Sequence, residues 1–240
     1  VLKQFNLKCA CITGNGAQYI DEEGKLISAK YLDPSIACDV IDLMKEHQIH
    51  FIIYTTEGYY GIEHRDVVAY EFALRGLNRF GKKRGQTFEQ VFENIKSHGA
   101  YLLEKIDDYR EFLKDKEIIK IEAFDKDEQR IIDFKPLLAN IPGIAYLSSF
   151  PDNTEVTNEN ATKGLILKEA ARYYGIKDDE VMVFGDGMND LSMFTEFPLG
   201  GVAMENAEED LKKVARYITA SFNEEGVGVA IKKYILDDIK

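Results

Sequence analysis

Apolar and polar positions follow two different rhythms along the 240-residue chain. In the last third, short apolar runs alternate with amphipathic stretches. TKGLILKEAARYYGI, from Thr162, carries Leu165, Leu167, Ala171 and Tyr174 at helical spacing and stops at Gly175. EVMVF, GGVAM and RYITA read as short strands, separated by helical segments near Leu191 and Glu208. Strands alternating with helices predict a parallel sheet.

The first two thirds are less regular. KCACITGNGAQYID, from Lys8, reads as a strand, a turn at Gly14-Asn15-Gly16 and a second strand, and EEGK after it supports a hairpin. Asp33-Pro34-Ser35 is a helix start, and Ile36, Val40, Leu43 and Met44 give the helix one apolar face. HFIIYTTEGYYGI predicts a strand pair, followed by polar helices over residues 64–116. EIIKIEAF is another strand, a helix follows over residues 126–140, and IAYLSSF and TEVTN come next. The opening VLKQFNLKCACI reads as the end of a helix running into a strand. The expected architecture is α/β: a parallel-sheet core from residues 1–32 and 150–240, interrupted by an inserted α+β domain over residues 33–149.

Composition narrows the function classes. A net charge of -12 disfavours nonspecific binding to nucleic acid or to an anionic membrane, both of which need an excess of Lys and Arg. An anionic substrate therefore needs local cations to hold it. Cys9, Cys11 and Cys38 form no paired framework and no zinc-ligand spacing, which suits free thiols in a reducing cytoplasm. No run approaches the roughly 18 apolar residues of a membrane span.

The candidate chemistry lies in VMVFGDGMNDLSMF, from Val181. Asp186 and Asp190 sit in a turn where a predicted strand ends, and in a parallel α/β sheet that is where ligands bind. Neighbouring carboxylates repel unless a cation or proton lies between them, which suggests a hard-metal site. A purely structural turn with solvated carboxylates is the alternative for the segment taken alone. A dinucleotide loop needs a third glycine where Asp190 stands, and Gly14-Asn15-Gly16 fails the same test at Tyr19. Lys163 changes the balance, because it opens a helix one βα unit earlier, where free N–H groups and the helix dipole already attract anions.

Lys163 and GDGMND together resemble the last two motifs of the haloacid dehalogenase superfamily. The chain is most similar to the Cof-type, cap-containing phosphatases, through NGAQYID, TKGLIL, VMVFGDGMNDLSMF, GVAMENA and NEEGVGVAI. The resemblance implies a Rossmann-like core with an inserted cap, and Mg²⁺-dependent hydrolysis of a small phosphorylated metabolite, sugar phosphates among the candidates. It implies that Asp186 ligates Mg²⁺, Asp190 supports the metal shell, Asn189 positions the phosphoryl group and Lys163 neutralises it. Asn15-Gly16-Ala17 corresponds to a family turn near the cap hinge.

One departure is serious. The family's nucleophile stands in D-x-D-G-T and its second motif is a Ser or Thr ending the next core strand; neither occurs here. In the resemblance both precede VLKQFNLKCACI, so the nucleophile is expected upstream of this chain. Asp125-x-Asp127 in FDKDEQ follows a strand but lacks the Gly-Thr, and it falls inside the expected cap. Two rival readings differ in chemistry: a sugar phosphomutase of the same superfamily, and a catalytically dead binding or regulatory module. The basic RFGKKRG segment and the tyrosines Tyr54, Tyr59 and Tyr60 read first as a solvated loop and as core or cap-face aromatics.

Overall fold

The computed structural model describes residues 8–81, 84–98 and 102–236. The first seven residues, where the helix end was expected, and Lys82 and Lys83 of the basic segment lie outside the described residues.

An antiparallel meander comes first: β1 (Cys11–Thr13), β2 (Gln18–Ile20) and β3 (Leu26–Ala29). The predicted turn joins β1 to β2, with Asn15 in the left-handed region at φ 58°. Asn tolerates that region better than most side chains. α1 (Pro34–Glu46) starts at the predicted signal, where the Asp33 carboxylate accepts from the Ser35 and Ile36 N–H groups at 2.8 and 3.4 Å.

The middle of the chain then runs through β4 (His50–Thr55), β5 (Tyr59–Gly61), α2 (Arg65–Gly76), α3 (Phe88–His98), β6 (Leu103–Lys105) and α4 (Tyr109–Leu113). It continues with β7 (Ile118–Phe124), α5 (Glu128–Leu138), β8 (Ile144–Leu147) and β9 (Asn153–Asn158). These strands make one six-stranded sheet in the order β6-β5-β4-β7-β9-β8. Only the β5–β6 pair is parallel. β6 interrupts the stretch expected to be helical over residues 64–116. Three residues are too few to show a strand period, and β5 alone supplies its ladder.

The two faces of this sheet differ. Phe51, Ile53, Ile121, Ala123 and Val156 bury one face with Val40, Ile41 and Met44 of α1 and Ile131 and Phe134 of α5. The other face packs Ile52 and Phe124 against Val68 and Phe72 of α2 and then turns polar. There Arg75, 2% exposed, lies against the Phe72 and Phe124 rings and donates to Asp152 at 3.1 Å. Arg79 stacks over Phe150 and donates its Nε to the same carboxylate at 2.7 Å. Asn153 and Tyr54 both donate to Glu122, at 3.1 and 2.8 Å. One buried carboxylate thus holds two arginines, because charges taken from water are tolerated only when paired.

The last third alternates as predicted: α6 (Lys163–Tyr173), β10 (Val183–Gly185), α7 (Leu191–Glu196), β11 (Gly201–Ala203), α8 (Glu209–Val214), β12 (Tyr217–Ile218) and α9 (Gly226–Ile231). β10, β11 and β12 pair in parallel. Val183, Phe194, Phe197, Ala203 and Leu211 form the core around them, closed from the α6 side by Ala171. The buried stripe of α6 is Gly164, Ile166, Ala170 and Ala171; Leu165 and Tyr174 of the expected face are exposed. Apolar residues occur on more than one side of this helix, so periodicity alone left the inward face open.

By contacts the chain divides into two compact units, Val1–Lys30 with Asn160–Lys240, and Tyr31–Glu159. It is a parallel α/β unit carrying an inserted α+β unit. The expected boundary at 149/150 runs between β8 and β9, which pair with each other along their lengths. β9 also pairs with β7, so the TEVTN segment is an interior strand of the inserted sheet and the boundary moves to 159/160. Among the described residues no helix is long and apolar enough to cross a membrane.

Candidate active site

Strand β10 ends at Gly185, and the chain passes through Asp186 and Gly187 into a single 3-10 turn, Met188–Asp190, before α7. The buried Asp190 organises this loop. Its Oδ2 accepts from the Asp186 and Gly187 N–H groups at 3.0 and 3.4 Å, and its Oδ1 lies 2.6 Å from the Lys163 ammonium. A carboxylate receiving backbone N–H groups on one oxygen and a cation on the other is fixed in place. Both oxygens are spent on the loop and on Lys163.

Lys163 reaches Asp190 because α6 begins against α7. Thr162 caps α6, its hydroxyl accepting from the Leu165 N–H at 3.3 Å, and the Gly164 N–H donates to the Ser192 hydroxyl at 3.0 Å. A Cβ on Gly164 would stand 2.1 Å from the Ser192 carbonyl oxygen, so only glycine lets the two backbones approach this closely. From another side Gly16, at φ 107°, brings the Gly14-Asn15-Gly16 turn onto Thr162, where a Cβ would lie 2.5 Å from the Thr162 carbonyl. The family-like NGA turn therefore buttresses the start of the lysine helix. Lys163 also lines a cavity of about 380 Å³ with Ile12, Asn15, Leu167 and Met193.

Asp186 is exposed and differently held. Its carbonyl accepts from the Glu208 N–H at 2.9 Å, and Glu208 in turn accepts from the Met188 N–H at 3.0 Å. Its Oδ2 accepts from the Asn206 side-chain amide at 3.2 Å. The other oxygen, Oδ1, accepts no hydrogen bond from the described residues. Asn189 is half-buried, and its amide bonds to no described residue.

The structure thus joins Lys163 directly to Asp190 and sets Asp186 and Asn189 on the same loop. Ser192, Asn206 and Glu208 complete the arrangement without having been singled out from the sequence. The side chain of each meets a backbone group distant in sequence, a relation that residue spacing does not carry. Asp125 and Asp127 belong to the inserted unit instead. Asp127 caps α5 through the Gln129 N–H at 3.1 Å, and the buried Asp125 pairs with Arg130 at 2.7 Å.

Among the described residues no group of three or more His, Cys, Asp or Glu side chains is placed to hold a metal ion. The donor chemistry fits a hard cation at one point, Oδ1 of the exposed Asp186 carboxylate, which has no partner among the described residues. Magnesium keeps several waters and commonly takes only one or two protein carboxylates. Asp190 fits a role behind such a site.

A profile of haloacid dehalogenase-like hydrolases matches residues 1–231. The chain belongs to this family. A phosphatase of Bacillus subtilis whose name gives 5-amino-6-(5-phospho-D-ribitylamino)uracil as its substrate is 27% identical over 233 residues, 96% of this chain and 80% of that protein. A haloacid dehalogenase-like hydrolase structure from B. subtilis superposes with a TM-score of 0.78 at 22% identity, over 98% of this chain and 82% of its own. A sugar phosphatase of the superfamily's subclass IIB superposes with a TM-score of 0.71 at 25% identity, over 97% and 78%. The family assignment agrees with the resemblance carried by Lys163 and GDGMND. The protein is therefore an enzyme of a phosphatase family, and hydrolysis of phosphoric esters is its family activity.

Proposed function

We propose that the protein is a Mg²⁺-dependent phosphatase of small phosphorylated metabolites, with polyhydroxylated phosphate monoesters as its substrates. The observation that carries this reading is the Lys163 ammonium, held 2.6 Å from Asp190 at the first turn of α6, on the loop that presents Asp186. Asp190 orients the ammonium, and the lysine side chain keeps 27% of its surface open to an anion. In this reading Lys163 and the N-terminus of α6 neutralise the phosphoryl oxygens, and Asn189 donates to one of them. Asp186 contributes Oδ1 to Mg²⁺, which when bound supplies further charge neutralisation at the phosphoryl group. Asp190 supports that shell from behind, through the Asp186 N–H and through Lys163.

The reading takes the attacking carboxylate and the acid–base carboxylate from outside these 240 residues, as the family motifs imply. The phosphoryl group passes to the first as the second protonates the departing alcohol, and water then releases phosphate from the phosphoaspartate. The B. subtilis relative's phosphoribityl substrate supports a polyol phosphate as the substrate class.

Two variants test the assignments. Asp186→Asn should weaken Mg²⁺ binding, since one anionic oxygen becomes neutral at a charge-dominated site. Lys163→Ala should weaken orthovanadate binding by about 1.5–3 kcal/mol, or roughly 10- to 150-fold, while changing Mg²⁺ affinity less. Calorimetric titration of each ligand separates the two roles. Unchanged Mg²⁺ affinity removes Asp186 from the metal shell, and unchanged vanadate affinity returns Lys163 to a structural ion pair.

A further inference from the structure

The GVAMENA segment has no part in the function proposed above, yet the turn it forms is tied to the acidic loop at both ends. The Met204 N–H donates to the Gly185 carbonyl at 3.0 Å, and the Glu208 N–H to the Asp186 carbonyl at 2.9 Å. Between these two ties stands Asn206. It is exposed, and an exposed asparagine ordinarily spends its amide on water. Here both ends of the amide are engaged: Nδ2 donates to Asp186 Oδ2 at 3.2 Å, and Oδ1 accepts from the Phe222 N–H at 3.0 Å.

The second bond determines the first. A backbone N–H can meet only the oxygen end of the amide, so Phe222 forces the NH₂ end toward Asp186. We propose that Asn206 is a positioning residue, whose amide holds the Asp186 carboxylate with Oδ2 turned inward and Oδ1 presented to the cation. The residue type suits the task. Lysine or arginine here would cancel the charge that a metal ligand needs, and aspartate would repel it, whereas a neutral amide orients the carboxylate and leaves its charge intact. Partners of this kind behind a ligating carboxylate typically alter metal affinity by 10- to 100-fold, and exposure places Asn206 at about the lower figure.

The inference rests on the reading of Asp186 as a metal ligand, so the test separates the two. Mn²⁺ alone is titrated into wild type, Asn206→Ala, Asp186→Asn and the double variant, with free Mn²⁺ followed by electron paramagnetic resonance. Melting temperature is measured without metal to verify folding. Asn206→Ala should bind Mn²⁺ about tenfold more weakly, Asp186→Asn more weakly still, and the double variant no more weakly than Asp186→Asn.

A further variant removes only the group that orients the amide. Phe222 opens a 3-10 turn and follows Ser221 at φ -67° and ψ 166°, a backbone that accepts proline next, and its ring is exposed. Phe222→Pro should bind Mn²⁺ a few-fold more weakly than wild type while keeping Asn206. Wild-type affinity in both Asn206→Ala and Phe222→Pro, with Asp186→Asn impaired, overturns the positioning role and leaves the metal reading intact. Equal losses from Asn206→Ala in the wild-type and Asp186→Asn backgrounds overturn it too, because the effect then bypasses the carboxylate. Wild-type affinity in Asp186→Asn overturns the metal reading itself.

Discussion

Gly164→Ala tests whether the close approach of α6 to α7 positions Lys163. The new methyl would lie 2.1 Å from the Ser192 oxygen, 2.4 Å from its carbonyl carbon and 2.9 Å from the Met193 nitrogen. All three are backbone atoms, so no side chain can swing aside; the helices must part by about an ångström to restore van der Waals contact. Overpacking of this kind costs about 1–3 kcal/mol. Parting also stretches the bond from the Gly164 N–H to the Ser192 hydroxyl, which contributes about 1 kcal/mol. Against this, alanine is favoured over glycine in a helix by at most about 1 kcal/mol. The clash wins, and the net loss is about 1–3 kcal/mol, a fall of roughly 2–12 °C in melting temperature for a chain of this size. Ser192→Ala removes the hydroxyl without the clash and should cost only about 1 kcal/mol. The functional consequence is specific: Lys163 shifts away from Asp190, so orthovanadate affinity falls in Gly164→Ala and holds closer to wild type in Ser192→Ala. Thermal unfolding and vanadate titration of both variants provide the assay. A Gly164→Ala protein that melts within about 1 °C of wild type with unchanged vanadate affinity would refute the reasoning.

Two further predictions concern the inserted unit. Asp152→Ala leaves the half-buried Arg79 without its carboxylate and the buried Arg75 with Glu122 at 3.7 Å, and should cost up to about 3–5 kcal/mol in urea unfolding; a loss below about 1 kcal/mol would show that Glu122 and solvent compensate the arginines. His50 lies 2.7 Å from Glu63, and that hydrogen bond raises the His50 pKa against the opposing effect of burial. Because the folded value lies above the unfolded value of about 6.5, the pair's contribution is complete below that pH and is lost as the pH rises through the folded pKa. The stability gap between wild type and His50→Gln should therefore be up to about 1 kcal/mol at pH 5.5 and narrow by pH 8.5; a gap independent of pH would refute the linkage.

What the sequence determined by itself was local. Asp33-Pro34-Ser35 carries its own cap, Gly14-Asn15-Gly16 its own turn, and the alternation of EVMVF, GGVAM and RYITA with helices its parallel sheet, because each signal needs only neighbouring residues. The same holds for the chemistry of the acidic loop: two carboxylates and an asparagine at a strand end, with a lysine opening an earlier helix, were legible as residue types in order. Tertiary structure decided what those residues touch. Asp190, grouped by sequence with Asp186 around a metal, spends one oxygen on a lysine 27 residues away and the other on its own loop. The TEVTN segment reads as a strand anywhere, but only its pairing with β7 and β8 makes it an interior strand of the inserted sheet. α6 has apolar residues on several sides, and packing with Tyr19 of β2 selects Ile166 and Ala170, and packing in the Phe194 cluster selects Ala171, over Leu165 as its buried face. β6 shows no period in three residues and exists because β5 offers it a ladder. Propensity and periodicity act over a few residues, whereas strand partners, helix faces and ion pairs are chosen by whichever distant groups must leave water together.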